Sequence, residues 1–171
     1  VFNALTGMNQ HTGNWAGKTV SSAMGRCTYN NKKYVLADIP GTYSLMAQSA
    51  EEEVARDFIC FQNPDAVIVV CDATCLERNL NLVLQTIEIT PKTVVCVNLL
   101  DEAERKNIHV DIKKLETFLG VPAVGVTARE GKGLDKLMEA VERVIENRPE
   151  SPFIPVYDAE LEEEIQKITA A

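Results

Sequence analysis

The chain has 171 residues, of which 46% are hydrophobic and 25% charged, enough for one domain with a core of its own. Its formal net charge of −8 argues against general nucleic-acid binding, which needs clustered Lys and Arg. Apolar runs such as residues 66–71 are far shorter than the roughly 20 residues of a membrane span. We expect a soluble domain without a secretory signal.

The chain contains an odd number of cysteines, without the paired short spacing of a zinc site. Cys71 and Cys96 lie within runs rich in Val and Ile, where a thiol behaves as a small apolar residue. We expect both to be buried, and the cysteine usage favours a reducing, cytoplasmic compartment. The cysteines are Cys27, Cys60, Cys71, Cys75 and Cys96.

Short runs rich in β-branched residues alternate with amphipathic helical patterns, which predicts an α/β fold. None of the runs alternates between apolar and polar residues, so each is expected to be buried on both faces, as in a parallel sheet. Strands are predicted at residues 34–37, 66–71, 93–97 and 123–126. Helices are predicted at residues 51–62, 76–89, 111–119 and 134–145.

The C-terminal residues differ in composition from the rest of the chain. Residues 146–155 contain three prolines and are typical of a connector. Residues 158–170 form a charged helical pattern with apolar residues at spacings of four and three. That helix either packs on its own domain or begins a following one. We divide the chain into a domain of residues 1–148 and a connector with the start of a second domain at 149–171.

Polar residues follow each predicted strand, where ligands bind in open α/β sheets. Taken singly, each has an ordinary interpretation: Asp38 before Pro-Gly suits a turn, and Asp101 suits the N-cap of a short acidic helix. The four strand ends are Asp38-Ile39-Pro40-Gly41, Asp72-Ala73-Thr74, Asn98-Leu99-Leu100-Asp101 and Thr127-Ala128-Arg129.

Taken together, the order and spacing of three of these segments are those of a small GTPase: D-x-x-G, then N-x-x-D, then T-A-x. Asp38 is expected to act on a magnesium ion through water, and the N–H of Gly41 to approach a γ-phosphate. Asp101 offers two acceptor oxygens to the two adjacent donors of guanine, which adenine lacks. Asn98 would hold the base-binding loop together, and the backbone of Ala128 would receive the guanine carbonyl.

Gly17-Lys18-Thr19 looks like the end of a phosphate-binding loop, but three residues instead of four separate Gly13 from Gly17. The preceding segment is also polar, whereas such a loop follows a buried strand. We therefore reject it as a phosphate loop. Thr19 precedes Asp38 by 19 residues, which suits a switch threonine whose hydroxyl binds magnesium when GTP is present.

Several strings together resemble the cytoplasmic G domain of the bacterial ferrous-iron transporter FeoB family. The resemblance extends from residue 1 to about residue 148, and the remainder resembles the start of that family's helical regulatory domain. The strings are N-Q at 9–10, G-N-W-A-G-K-T-V at 13–20, D-I-P-G-T-Y-S-L at 38–45, D-A-T at 72–74 and L-E-R-N-L at 76–80.

The resemblance implies a P-loop-type three-layer sandwich with a mostly parallel sheet, which binds GTP and GDP with Mg²⁺ and K⁺ and hydrolyses GTP slowly. It implies regulation of Fe²⁺ uptake by a membrane domain of the same polypeptide, at the cytoplasmic face of the membrane, with possible oligomers through the helical domain and no nucleic-acid partner. The nucleotide-binding residues would be Gly17, Lys18, Thr19, Val20, Ser21, Asp38, Ile39, Pro40, Gly41, Asn98, Leu99, Leu100, Asp101, Thr127, Ala128 and Arg129.

Three departures from the family pattern qualify these expectations. The family's first strand and phosphate loop have no counterpart here, so we expect further residues upstream of Val1. Leu99 replaces the usual Lys of the N-K-x-D motif. Thr42 stands where Ras-like enzymes place a water-orienting Gln, so no residue is assigned as catalytic. The family's potassium ion would lie near the backbone of Gly13 and Trp15.

Two other functions remain open from the residues. An RNA- or ribosome-associated GTPase of the same superfamily would carry a basic patch or an RNA-binding module, which the charge of −8 disfavours. A non-hydrolysing interaction module would keep the fold without turnover, and the missing phosphate loop favours it.

Overall fold

The structure is a computed structural model that describes residues 1–7, 10–14, 21–46, 48–147 and 153–169. Its described strands form two three-stranded sheets. The strands are β1 (Gln10–Asn14), β2 (Ser21–Tyr29), β3 (Lys32–Asp38), β4 (Val67–Asp72), β5 (Thr93–Asn98) and β6 (Ala123–Gly125). The helices are α1 (Phe2–Thr6), α2 (Ala50–Phe61), α3 (Leu76–Ile89), α4 (Leu100–Arg105), α5 (Ile112–Leu119), α6 (Leu134–Glu146) and α7 (Ala159–Thr169).

The second sheet is parallel, with the order β4-β5-β6, which confirms the predicted α/β fold. Alternate side chains of β5 enter two different cores: Val95 and Val97 pack with α3 and α5, whereas Val94 and Cys96 pack with α6. Both faces of β5 are therefore covered by helices, as its uninterrupted apolar sequence predicts. Cys71 and Cys96 are fully buried, as expected.

The first sheet is antiparallel, with the order β1-β2-β3. Asn30 and Asn31 connect β2 to β3 with φ of 46° and 60°, a backbone suited to a tight hairpin turn. The prediction of a strand at residues 34–37 is confirmed, but its expected burial on both faces is wrong, because Val35 is 65% exposed. In an antiparallel sheet one face often meets solvent. β4 also leaves Val70 48% exposed.

The predicted helices lie within one or two residues of α2, α3, α5, α6 and α7. Ser49 accepts a hydrogen bond from the Glu52 N–H, and the Glu52 carboxylate accepts one from the Gln48 N–H, so reciprocal capping starts α2. Asp111 caps α5 through the Lys114 N–H, and Gly120 ends that helix at φ 63°.

The two sheets are joined through side chains and loops, because no strand ladder connects β3 to β4 among the described residues. A cleft of about 650 Å³ lies between them, lined by β3, β4, α2 and α6. Glu142 of α6 bridges to the hairpin, accepting hydrogen bonds from Tyr34 Oη at 2.6 Å and Asn30 Nδ2 at 2.9 Å. Lys32 Nζ lies 3.3 Å from the same carboxylate and 2.8 Å from Glu146.

The C-terminal segment returns to the parallel sheet's helices. Phe153 donates its N–H to the Leu119 carbonyl at 2.8 Å, and Tyr157 Oη lies 2.5 Å from Glu88. On α7, Ile168 is 78% exposed. The division at residues 148 and 149 stays a prediction. Within the described ranges, no helix combines the length and apolar character that a membrane crossing requires.

Candidate guanine-nucleotide site

The carboxyl ends of the parallel strands place two of the predicted motifs side by side. Asp72 and Asn98 are register partners at the ends of β4 and β5. Val126, just after β6, donates its N–H to the Val97 carbonyl at 2.8 Å, which brings the loop starting at Thr127 next to the loop starting at Asn98. The N-x-x-D and T-A-x segments therefore share one edge of the sheet.

The segment after β3 packs against α3. Here the Arg78 guanidinium, in the first turn of α3, lies 4.0 Å from the centre of the Tyr43 ring. Leu45 donates its N–H to Gln85 Oε1 at 2.7 Å, about two turns further along the same face of α3. α3 follows β4 after the short 3-10 turn Ala73–Cys75, so these contacts place residues 43–45, just after the D-x-x-G string, against the helix that begins near this edge.

Asn98 ties together the two loops that the sequence predicts to hold the base. Its Oδ1 accepts the N–H of Ala128 at 3.1 Å, and Thr127 beside it is buried. The N–H that the sequence assigned to the guanine carbonyl is thus held by Asn98 in this structure. Leu100 N–H lies 3.4 Å from the Val126 carbonyl, a second link between the same loops.

Leu99 adopts a left-handed backbone, with φ 64° and ψ 34°, and occupies the N-cap position of α4. This conformation is strained for a branched side chain and concentrates at functional sites. Asp101 lies in the first turn and no side-chain cap is formed, so the interpretation of Asp101 as a helix N-cap is wrong. The sharp turn at Leu99 presents the carboxylate to the neighbouring loop.

The two carboxylate oxygens of Asp101 differ in their hydrogen bonding. Its Oδ2 accepts hydrogen bonds from Arg105 at 2.8 Å and from Arg129. Its Oδ1 is shielded from solvent and has no hydrogen-bond partner in the described part of the chain. Desolvation raises the pKa of this carboxyl, but the Arg105 hydrogen bond and the Arg129 charge outweigh it and hold the pKa below its ordinary value. An unpaired, desolvated acceptor is costly, so a ligand donor that reaches Oδ1 after a local movement would be favoured.

A tight turn after Ala128 supports these residues, and the sequence reading missed it. Thr127 and Lys132 form an antiparallel bridge around the short 3-10 turn Ala128–Glu130. Gly131 and Gly133 have φ of 72° and 81°, and a Cβ on Gly133 would lie 2.4 Å from the Gly125 carbonyl oxygen. The T-A-R-E-G-K-G string carries the signal, since two glycines flank a single Lys.

The segment that the sequence predicts to face the phosphates is more open. Asp38 ends β3 with an exposed side chain, and desolvation raises the pKa of its carboxyl. Ile39 and Pro40 are half-buried, and a Cβ on Gly41 would meet no atom within 4 Å. Thr42 Oγ1 donates to the Ser44 carbonyl at 2.6 Å and accepts the Ser44 N–H at 3.2 Å, so this hydroxyl is engaged by the backbone of the local turn.

Some predicted site residues fall beyond what the structure describes. Two others lie in described strands. Gly13 is in β1 and is paired with Ser22, and Ser21 is the first residue of β2. The remaining ones, outside the described residues, are Trp15, Gly17, Lys18, Thr19 and Val20.

Asp38 fits the way proteins hold Mg²⁺. Among the residues the structure describes, no three His, Cys, Asp or Glu side chains form a metal-binding group. Mg²⁺ commonly takes one or two protein ligands and completes its shell with phosphates and water. A single exposed carboxylate beside an open loop satisfies that pattern, whereas a dedicated all-protein cage is not built here.

Two residues of α3 support the site without having been singled out as site residues. Asn79 Oδ1 accepts the Asp72 N–H at 2.8 Å, and Asp72 in turn accepts the Thr74 N–H at 2.7 Å. Arg78 stacks on Tyr43. Both belong to the L-E-R-N-L string, which carried the resemblance but gave no role to its members.

The sequence profile of a family described as "Ferrous iron transport protein B" matches residues 1–141. The chain belongs to this family. Over 147 residues it is 40% identical to the Fe(2+) transporter FeoB of Salmonella typhimurium and equally to that of Escherichia coli K12. Those alignments include 84% of this chain but 19% of each relative, so the chain spans about a fifth of their length.

Solved structures of the family share the fold. The cytosolic domain of T. maritima FeoB in its GMPPNP form superposes with a TM-score of 0.92 at 35% identity, over 99% of this chain and 67% of that one. Its GDP form II gives the same TM-score, identity and coverage. The G domain of the Methanococcus jannaschii FeoB gives 0.74 at 38% identity, over 85% of this chain and 88% of that one.

Proposed function

We propose that this chain is the guanine-nucleotide switch of a ferrous-iron transporter, that it binds GTP and GDP, and that it hydrolyses GTP slowly. The observation that carries the proposal is Asp101, charged and fixed in place, with the shielded Oδ1 left without a donor. Guanine offers two adjacent donors, N1–H and the N2 amino group, and adenine offers no such pair. A carboxylate at this point therefore selects guanine.

The neighbouring loops support the same function. The hydrogen bond from the Ala128 N–H to Asn98 Oδ1, at 3.1 Å, joins the two base-side segments at the edge where ligands of parallel sheets bind. Solved relatives are described in GDP and GMPPNP forms and superpose on this chain with TM-scores of 0.92. Fold and local geometry therefore agree on a guanine nucleotide as the ligand.

On the phosphate side, we propose that Asp38 contacts a Mg²⁺ ion through water, with Thr19 as a direct ligand when GTP is bound. The metal would neutralise charge that develops on the phosphate oxygens. Gly41 would bring its N–H to the γ-phosphate. Because the Thr42 hydroxyl is engaged by the backbone of the local turn, it does not replace a water-orienting Gln, and turnover is expected to be slow. A potassium ion near Gly13 and Trp15 would supply further charge.

The link to iron is proposed from the family. The relatives are named Fe(2+) transporters, and the solved domains are named cytosolic. We infer that the nucleotide state of this domain regulates Fe²⁺ passage through a membrane part of the same polypeptide, from the cytosolic side. Residues 149–171 would start the helical domain between the two, and that domain would be the place for oligomer contacts.

The test is a fluorescence titration with labelled GDP and ADP on the chain expressed with its natural flanking residues. We expect a clear preference for GDP, and a loss of about tenfold to a hundredfold in GDP affinity for Asp101→Asn, because hydrogen bonds to charged groups are strong. Asp111→Asn is the matched control, since Asn caps a helix as well as Asp does. Equal binding of GDP and ADP, or equal losses in both variants, would contradict the proposal.

A further inference from the structure

Two consecutive residues of the turn after Thr127 hold the loop that carries Asp101. Ala128 donates its N–H to Asn98. Arg129 then donates from Nη2 to Asp101 Oδ2 and from Nη1 to Glu102 Oε1 at 3.2 Å. The guanidinium thus spans two adjacent carboxylates with two different nitrogens, a geometry that fixes orientation as well as position.

Arg105 contacts the same Asp101 oxygen in a different way. Its Nη2 lies 2.8 Å from Asp101 Oδ2, and that same nitrogen lies 3.2 Å from Glu102 Oε1. Arg105 sits one turn along the same helix, so it cannot connect two loops, and its side chain is 57% exposed. The two arginines therefore bring equal charge to one oxygen, but only Arg129 fixes that oxygen relative to the loop of Thr127.

Guanine recognition through both oxygens of Asp101 needs room on Oδ2. Each carboxylate oxygen accepts about two hydrogen bonds, and both arginines already donate to Oδ2. Oδ1 has no hydrogen-bond partner among the described residues but is shielded from solvent, so it accepts the first base donor only after a neighbouring side chain moves away from it. The second base donor requires that one arginine leave Oδ2, and Arg105, held through one shared nitrogen and more exposed, is the weaker of the two.

We propose that Arg129 is a positioning residue for guanine selection: it orients the Asp101 carboxylate across the two loops, while Arg105 yields its place on Oδ2 to the base. This inference rests on the proposed function, because it gives Asp101 a guanine base as its partner. It assigns opposite effects to two arginines that contact the same atom.

The experiment measures dissociation constants for GDP and IDP, whose hypoxanthine base lacks the N2 amino group, on the chain with its natural flanking residues. For Arg129→Ala we expect GDP binding about fivefold weaker and a GDP-to-IDP preference at least about threefold smaller, as a charged hydrogen bond is misaligned. For Arg105→Ala we expect GDP binding up to about twofold tighter with the preference retained. Arg129→Lys keeps the charge but lacks the two separate guanidinium nitrogens. Its GDP affinity and its GDP-to-IDP preference should lie between those of wild type and Arg129→Ala.

Arg143→Ala provides the matched charge control. Arg143 pairs with Glu116 at 3.0 Å on the surface, and neither residue belongs to the predicted site, so this variant should bind both nucleotides as wild type does. Two results would overturn the inference and leave the proposed function standing. One is an unchanged GDP-to-IDP preference in Arg129→Ala and Arg129→Lys. The other is tighter GDP binding by these variants, as expected if Arg129 only competed with the base for the Asp101 carboxylate. A wild-type protein without preference for GDP over ADP would overturn the proposed function itself.

Discussion

The two sheets of this molecule differ in how deeply their side chains are buried and in how they are connected to the rest of the fold. The parallel half, β4–β6 with α3, α5 and α6, has fully buried β5 side chains on both faces. The antiparallel half, β1–β3 with the loop at residues 39–46, leaves Val35 65% and Tyr43 55% exposed. It meets the parallel half through a small cluster around Leu45 and through side-chain hydrogen bonds such as those of Glu142.

This difference matches the two tasks we propose for the site. Base selection needs a fixed carboxylate, and Asp101 and Asn98 stand at the ends of the buried parallel half. A response to the γ-phosphate needs a segment whose position changes at little cost, and the loop at residues 39–46 is held by a few contacts to α3. Substitutions in the two halves should therefore differ in both size and kind.

The largest effect is expected at Gly133, in the turn that supports the base-side loop. Gly133→Ala would place a Cβ 2.4 Å from the Gly125 carbonyl oxygen at a φ of 81°. Backbone strain and overpacking together should reduce the free energy of unfolding by about 3 kcal/mol. Urea unfolding followed by circular dichroism measures this change.

Gly131→Ala is the control for that variant. Its φ of 72° brings the same kind of strain, but an added Cβ would meet nothing within 4 Å. Only the backbone term remains, so the loss should be about 1 kcal/mol. Equal losses for Gly131→Ala and Gly133→Ala would show that the packing around Gly125 does not set the rigidity of the parallel half.

A smaller effect is expected at Gln85, which joins the two halves. Gln85→Ala removes the acceptor of the Leu45 N–H, bonded at 2.7 Å beside a buried side chain. Leaving that donor unsatisfied should cost about 1 to 2 kcal/mol and should make the loop at residues 39–46 more sensitive to proteolysis. Gln85→Glu keeps an acceptor oxygen and should retain most of the protection; equal cleavage of both variants would mean that this hydrogen bond does not hold the loop.

The same contrast between the halves explains what could be predicted from the sequence. The run at residues 93–97 is apolar because both of its faces are covered. The neighbouring runs at residues 66–71 and 123–126 have the same apolar composition, so composition alone marks all three as strands. Polar side chains directly after such runs then predicted the shared edge that carries Asn98 and Asp101. Their role in binding stays a prediction of the proposed function.

In the antiparallel hairpin only the run at residues 34–37 gave a comparable signal. β2 (Ser21–Tyr29) mixes polar and apolar residues, and the two Asn residues of its turn were not recognised as a hairpin signal. The strained backbone of Leu99 was also missed, because a left-handed conformation at Leu is imposed by the surrounding loop and not by local preference. The Asp101–Arg129 pair joins residues far apart in the chain, which periodicity does not report.

Arg78 tests how the loop at residues 39–46 rests on α3. Arg78→Ala removes the cation 4.0 Å from the Tyr43 ring centre. A cation–π contact at an exposed site is worth about 0.5 to 1 kcal/mol, so the free energy of unfolding should fall by about that amount, with a matching increase in cleavage near Tyr43. Tyr43→Leu should have no further effect in the Arg78→Ala background, and additive losses from the two changes would exclude a direct coupling.

The smallest effect is a pH dependence at Glu142, which bridges the halves. Hydrogen bonds from Tyr34 and Asn30 hold the pKa of the Glu142 carboxyl below its ordinary 4.5. A lowered pKa contributes stability above pH 4.5 that is lost as the pH falls through the folded-state pKa. Glu142→Gln has no such charge to lose, so its urea midpoint should fall less than that of wild type between pH 6 and pH 3, which lie on either side of the ordinary value of 4.5. Glu139→Gln, at an exposed position of the same helix, should follow wild type; if all three midpoints fell in parallel, the bridge from α6 to the hairpin would contribute nothing through its charge.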